Sequence, residues 1–172
     1  MMTVNTAEKI LLQAEALCQQ RSVRLTPQRL EVLRLMCQHQ GAISAYGLLD
    51  LLRVREPQAK PPTVYRALDF LLEQGFVHRV ESTNSYVVCH HFEQHSHVSA
   101  MLICDRCGAV SEQHADGVEK ILKALALPSG FILTNSVIEA HGLCKLCVEV
   151  EACKHQDACE HDHALSPRKR GR

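Results

Sequence analysis

PPTVYRALDFLLEQGFVHRVESTNSYVVC, residues 61–89, changes its period halfway along, from helical to strand-like. Val64, Ala67, Leu68, Leu71 and Leu72 make an i, i+3, i+4, i+7, i+8 stripe, the buried face of an amphipathic helix. Pro62 suits the first turn of that helix, and Gly75 its stop. Two short strands follow, at 76–81 and 85–89. The stripe leaves Thr63, Tyr65, Arg66 and Asp69 off the core, in the turns where a recognition helix carries its base-reading side chains. A solvated helix face would leave the same pattern, and this helix alone does not choose between them.

Upstream lie three more helical segments. Residues 6–20 place Ala7, Ile10, Leu11, Ala14 and Leu17 at helical spacing, with Cys18 read as a small apolar residue. Thr26 is an N-cap with Pro27 at the first helical position, and Leu30, Leu33 and Cys37 share a face. Ser44 caps a third helix through Leu52, with Leu48, Leu51 and Leu52 inward. Three helices, a fourth helix and a hairpin make the element order of a winged helix-turn-helix, with the hairpin as wing.

Downstream, residues 98–104 and 108–113 read as strands, 115–130 as a helix ending near Pro128, and 131–142 as a β-rich segment. This β-β-α-β order is a small α+β domain with its one helix laid on the sheet. The last twenty residues lack an apolar pattern and read as disordered. The expected organisation is a winged-helix domain over 1–89, a hinge over 90–97, a second domain over 98–153 and a tail over 154–172.

Composition bounds the setting. A chain of 172 residues fits one domain or two small ones, and small ones benefit from a metal staple. Aromatic residues are 4%, without Trp, so the core is aliphatic. The sequence has no run of 18 apolar residues, the length from which a membrane-spanning helix is read, and the N-terminus does not read as an export signal. A cytoplasmic location is the expectation. Nine cysteines in a reducing compartment then argue for metal ligands over disulfides. Residues 1–81 carry ten Lys/Arg against eight Asp/Glu, net +2, whereas 82–166 carry five against eleven, net −6. The basic half is the side that tolerates nucleic acid.

Residues 78–112 hold five of the eleven histidines and three of the nine cysteines. Cys104-x-x-Cys107 and Cys144-x-x-Cys147 have the spacing at which one turn chelates a metal from two sides, and together they read as a four-cysteine structural zinc site. Gly108 suits the tight turn of such a knuckle. Neither pair sits at the strand-to-helix step of a thioredoxin-like dithiol. A second constellation appears if the wing turns about Thr83 and Asn84. His78 then faces Cys89 and Val80 faces Val87, near enough for two ligands on one zinc. His90, His91, His95, His97 and Glu112 are the candidates to complete that set. A hairpin with one exposed His and one inert Cys satisfies the same spacing.

Residues 61–72, the wing histidine and the Cys-Asp-Arg-Cys-Gly run at 104–108 resemble the ferric uptake regulator family of metal-dependent repressors. Across about 8–163 the resemblance is closest to the zinc-uptake branch of that family. It implies an N-terminal winged helix that binds DNA and a C-terminal α+β domain that dimerises. It also implies two zinc ions per protomer: a structural one on Cys104, Cys107, Cys144 and Cys147, and a regulatory one on His78, Cys89, His97 and Glu112. DNA contacts fall on Tyr65 and Arg66, with Tyr46 as a further candidate beside Thr63. The implied function is a zinc-loaded homodimer, not an enzyme, that represses zinc uptake genes from a palindromic, AT-rich operator, with one or two dimers per site. Asp50 and Arg53, one turn apart, read either as a pair between neighbouring dimers or as an ordinary exposed ion pair.

The sequence departs from the broader family in having six residues, VSAMLI, between His97 and Cys104, so no regulatory role is carried onto His90, His91 or His95. The tail residues Cys153, Cys159, His161 and His163 read either as a further zinc site or as soft ligands that only scavenge the metal. A Cys thiolate in the regulatory set favours zinc over ferrous iron. The alternatives are an iron- or peroxide-responsive regulator of the same fold and, from another class, a zinc-knuckle interaction module.

Overall fold

The apolar stripe at residues 64–72 becomes the buried side of α4. A computed structural model describes residues 4–39, 41–92, 98–134 and 136–153, and the chain divides into two compact units between His95 and Ser96. The first contains α1 (Val4–Gln20), α2 (Pro27–Gln38), α3 (Ala45–Arg53), α4 (Pro61–Glu73), β1 (Val77–Val80) and β2 (Ser85–Val88). The second contains β3 (Ser99–Cys104), β4 (Val110–His114), α5 (Asp116–Ala126), a 3-10 turn (Leu127–Ser129), β5 (Ile138–Gly142) and α6 (Lys145–Cys153). His95, His97 and the tail 154–172, with Cys159, His161 and His163, lie outside the described residues.

Local chemistry sets the helix ends. Thr26 Oγ1 accepts the Arg29 N–H, and Ser44 Oγ accepts the Gly47 N–H at 3.0 Å, so both expected caps are in place. Pro61 and Pro62 occupy the first turn of α4, where a missing N–H costs nothing. At the other end Gly75 takes φ +74°. Its N–H donates to Leu72 O at 3.0 Å, and the Phe76 N–H donates to Leu71 O at 2.9 Å. These 5→2 and 6→1 bonds satisfy carbonyls the helix leaves open and turn the chain into β1. Arg21, just past α1, locks the same corner by donating to Gln74 O at 2.7 Å.

The core of the first unit is aliphatic: Ala14, Val32, Leu33, Leu48, Leu52, Leu68 and Leu71 close around Phe76. Cys18 and Cys37 are buried in it as small apolar residues, and burial raises both thiols, Cys37 to about 11. The face expected for α3 needs one correction. Leu51 is 37% exposed, and Leu49 is buried in its place. Ala45, Leu48, Leu49 and Leu52 follow i, i+3, i+4, i+7, and Leu51 falls outside that arc.

The wing register also differs from the sequence reading. Val80 pairs with Ser85 and His78 with Val87, so His78 does not face Cys89 directly. A two-residue turn at Thr83 and Asn84 would favour positive φ at both, which a β-branched Thr resists. The chain instead uses a four-residue loop from Glu81 in which Asn84, at φ 47°, takes the left-handed conformation. Ile43 adds a short bridge to the sheet, exchanging backbone bonds with Tyr86 at 3.0 and 2.8 Å.

In the second unit β3 is central, antiparallel to β4 and parallel to β5. The strand-strand-helix-strand order is as expected, but the helix is not laid on the sheet: no residue of α5 is buried. Its apolar positions Val118, Ile121 and Leu125 are open, as are Phe131, Ile132 and Val137 beyond it. Periodicity marks which face is apolar and says nothing of what covers it. The sequence reading also had no counterpart for α6, which begins inside the second cysteine pair and carries Cys147.

Candidate metal centres and nucleic-acid interface

Parallel pairing of β3 with β5 brings the two cysteine turns together. Cys104 lies in register with Gly142, and the Asp105 N–H donates to Gly142 O at 2.8 Å, so both chains leave the sheet side by side. The turn after β3 closes through Gly108, whose φ is +74° and whose N–H donates to Cys104 O at 2.9 Å. The four Sγ atoms of Cys104, Cys107, Cys144 and Cys147 all lie within 4.8 Å of one another. Cys107 and Cys144 are 3.7 Å apart. A zinc tetrahedron with bonds of about 2.3 Å has edges of about 3.8 Å, so the cluster fits that ion.

The electrostatics of the cluster are uneven. Burial pushes the Cys104 thiol up, but the backbone N–H groups of Cys107, Cys144 and Arg106 outweigh it and hold the group at about 6. Burial raises Cys107, and burial together with the neighbouring thiols pushes Cys147 up to about 12. Four thiolates this close repel one another, so the set becomes electrostatically complete with a divalent cation at its centre. Around it, Arg106 donates to Cys147 O at 3.1 Å, tying the first turn to α6.

In the first unit the wing presents His78 and Cys89. Despite the corrected register, their ligand atoms lie within 4.8 Å. Moving the pairing by two residues leaves every side chain on its original face, so Cys89 becomes the diagonal neighbour of His78 on the same side. Cys89 is fully buried, its N–H donating to Phe76 O at 2.9 Å and its Sγ accepting the His91 N–H at 3.3 Å. The His78 Nε2 atom is buried as well. An imidazole and a thiol held this close are two of the donors a zinc ion takes. His90 is exposed and His91 half-buried. Glu112, in the second unit, lies half-buried on β4, and Ser99 Oγ donates to its Oε1 at 2.5 Å. The sequence reading did not single out Ser99.

The expected DNA residues lie on α3 and α4, which pack against each other. Tyr46 is 63% and Tyr65 39% exposed. Arg66 is exposed beside Tyr65, and Thr63 is half-buried in the first turn of α4. Asp50 and Arg53 make a 4.0 Å pair within α3, with side chains 79% and 46% exposed, of the kind that contributes little to stability.

The Ferric uptake regulator family matches residues 20–141 of the chain. Over 171 residues the chain is 67% identical to the zinc uptake regulation protein of Escherichia coli (strain K12), spanning 99% of this chain and 100% of that protein. A solved structure of a zinc uptake regulator complexed with zinc and DNA superposes with a TM-score of 0.84 at 72% identity, over 86% of this chain and 99% of that one. The crystal structure of holo XcZur superposes with a TM-score of 0.76 at 42% identity, over 82% and 98% of the two chains.

Proposed function

The chain belongs to the ferric uptake regulator family, and we propose from that premise that it is a zinc-responsive transcriptional repressor of zinc uptake genes. It is a regulator and not an enzyme. The observation that carries the choice of metal is the buried Cys89 thiol within 4.8 Å of the His78 imidazole. A thiolate ligand suits zinc, whereas ferrous iron and peroxide chemistry are better served by histidine and carboxylate. That separates this reading from an iron- or peroxide-responsive member of the family.

Two zinc ions are assigned to each protomer. Cys104, Cys107, Cys144 and Cys147 hold the structural one, which closes the second unit. His78, Cys89, His97 and Glu112 hold the regulatory one. Zinc, when bound, supplies a doubly charged centre that accepts these four donors together. The residues contribute selectivity: Cys89 is soft and desolvated, His78 is neutral when ligating, and Glu112 brings charge. Their filling shifts the population toward the DNA-competent form, and zinc loss reverses it.

DNA binding is assigned to the α3–α4 face, with Tyr46, Thr63, Tyr65 and Arg66 toward the major groove. The active species is a homodimer, supported by the apolar face of α5, where Ile121 and Leu125 are 60% and 71% exposed. The operator is palindromic and AT-rich, with one or two dimers per site, and the protein acts in the cytoplasm. Among the described residues no helix is long and apolar enough to cross a membrane. A gel shift on an AT-rich palindrome is the direct test: retardation present with zinc and lost with chelator supports the reading, and retardation indifferent to zinc removes it.

A further inference from the structure

We propose that Ser99 is a positioning residue for the regulatory zinc, its hydroxyl holding the Glu112 carboxylate in the conformation that ligates. The inference rests on the assignment of Glu112 to the regulatory set. Within the β3–β4 pair, Met101 lies opposite Glu112 and Ser99 opposite His114. Ser99 is therefore the diagonal neighbour of Glu112 on the same face, within reach of a long side chain. Its Oγ donates to Glu112 Oε1 at 2.5 Å, at the short end of the range for a hydroxyl on a charged carboxylate.

The placement argues against a casual surface contact. Continuing along β3 on the same face come Met101 and Ile103, both 5% exposed, so the hydroxyl stands at the edge of a buried apolar strip. On the opposite face of β4, Gln113 Nε2 donates to Ser111 Oγ at 3.0 Å between exposed residues, an ordinary solvated arrangement. Glu112 has three rotatable bonds, and an ion must otherwise order them at the moment of binding. A hydroxyl that engages one carboxylate oxygen orders the side chain before the ion arrives. Hydrogen bonds to ligating carboxylates tune metal affinity in this way, and their loss typically costs about 10–100-fold.

The test uses the full-length protein with its structural zinc retained, titrated with zinc against a chromophoric chelator. Ser99→Ala is expected to weaken the regulatory site by about 10–100-fold without lowering the thermal midpoint of the protein that carries only its structural zinc. Ser99→Thr and Ser99→Val have nearly the same shape and differ in the hydroxyl; Thr should keep the affinity and Val should lose it. In a Glu112→Ala background, Ser99→Ala should have no further effect, because the hydroxyl acts only through that carboxylate. Equal affinities for the Thr and Val variants overturn the proposal, as does wild-type affinity for Ser99→Ala while Glu112→Ala binds weakly. Wild-type affinity for Glu112→Ala overturns the underlying ligand assignment instead. Cobalt(II) absorbance at the same site gives a second readout: Ser99→Val should alter the visible bands and Ser99→Thr should preserve them, and identical spectra for the two count against the proposal.

Discussion

Cys104 and Cys147 sit in one cluster with opposite protonation tendencies, and pH separates them. Cys104 is lowered from 9.0 to about 6, so its contribution to folding is fully present above 9.0 and is lost as pH falls through about 6. Cys147 is raised from 9.0 to about 12, so its contribution is present below 9.0 and is lost as pH rises toward about 12. Zinc requires thiolates, so Cys107 and Cys147 must give up protons when it binds. The affinity of the four-cysteine site is therefore expected to fall as pH is lowered from 9.0 toward about 6, with proton release measurable by calorimetry in buffers of different ionisation enthalpy. A flat pH profile would contradict the cluster as a thiolate site. On α4, Arg66→Ala is expected to weaken binding to the specific operator by about 1–3 kcal/mol if the guanidinium reads a base edge. Equal losses on operator and random duplex would make it a phosphate contact.

At the level of elements, the joint between α4 and β1 carries much of the geometry, because Phe76 begins the turn and accepts the Cys89 N–H. Gly75→Ala places a Cβ at φ +74° with no atom within 4 Å, so the cost is backbone strain and not collision. About 1–2 kcal/mol of stability is expected to be lost in denaturant unfolding, with no change in the zinc content of the cysteine cluster. A neutral Gly75→Ala would show that this corner relaxes. The same joint shows what sequence can carry. Caps at Thr26 and Ser44, the Gly75 stop, the α4 stripe and the four cysteines were legible because each depends on residue identity at short spacing. The wing register was not, because a Thr-Asn pair leaves loop length open, and the face of His78 and Cys89 survived only because the slip was two residues. Ser99 was invisible for a related reason: its bond to Glu112 exists only once β3 and β4 have a register.

For the molecule as a whole, two obligations are written into its second unit: closing around the cysteines and covering α5. They are separable. Ile121→Asp, at a position 60% exposed, should leave the cysteine cluster and its zinc intact. It should also shift the protein to monomer in sedimentation and weaken operator binding, since two half-sites would no longer be engaged together. An Ile121→Asp dimer would move the self-association surface elsewhere. Zinc should dissect the remaining duties in the same manner. The structural zinc proposed for the cysteine cluster would draw all four ligands from one unit and couple metal to folding, which for structural sites is worth an apparent ~10–16 kcal/mol. The proposed regulatory set includes an imidazole and a carboxylate, and regulation requires that its zinc be released. Graded chelation is therefore expected to remove one zinc per protomer first, abolishing retardation of the operator while sedimentation still shows a dimer. Cys89→Ser should reproduce that state at full zinc. Cys104→Ser should lose the other zinc and with it the fold of the second unit, seen as monomer by sedimentation and as lost ellipticity. If Cys104→Ser stayed a folded dimer, or if Cys89→Ser repressed like the wild type, the division of labour between the two sets of ligands would be wrong.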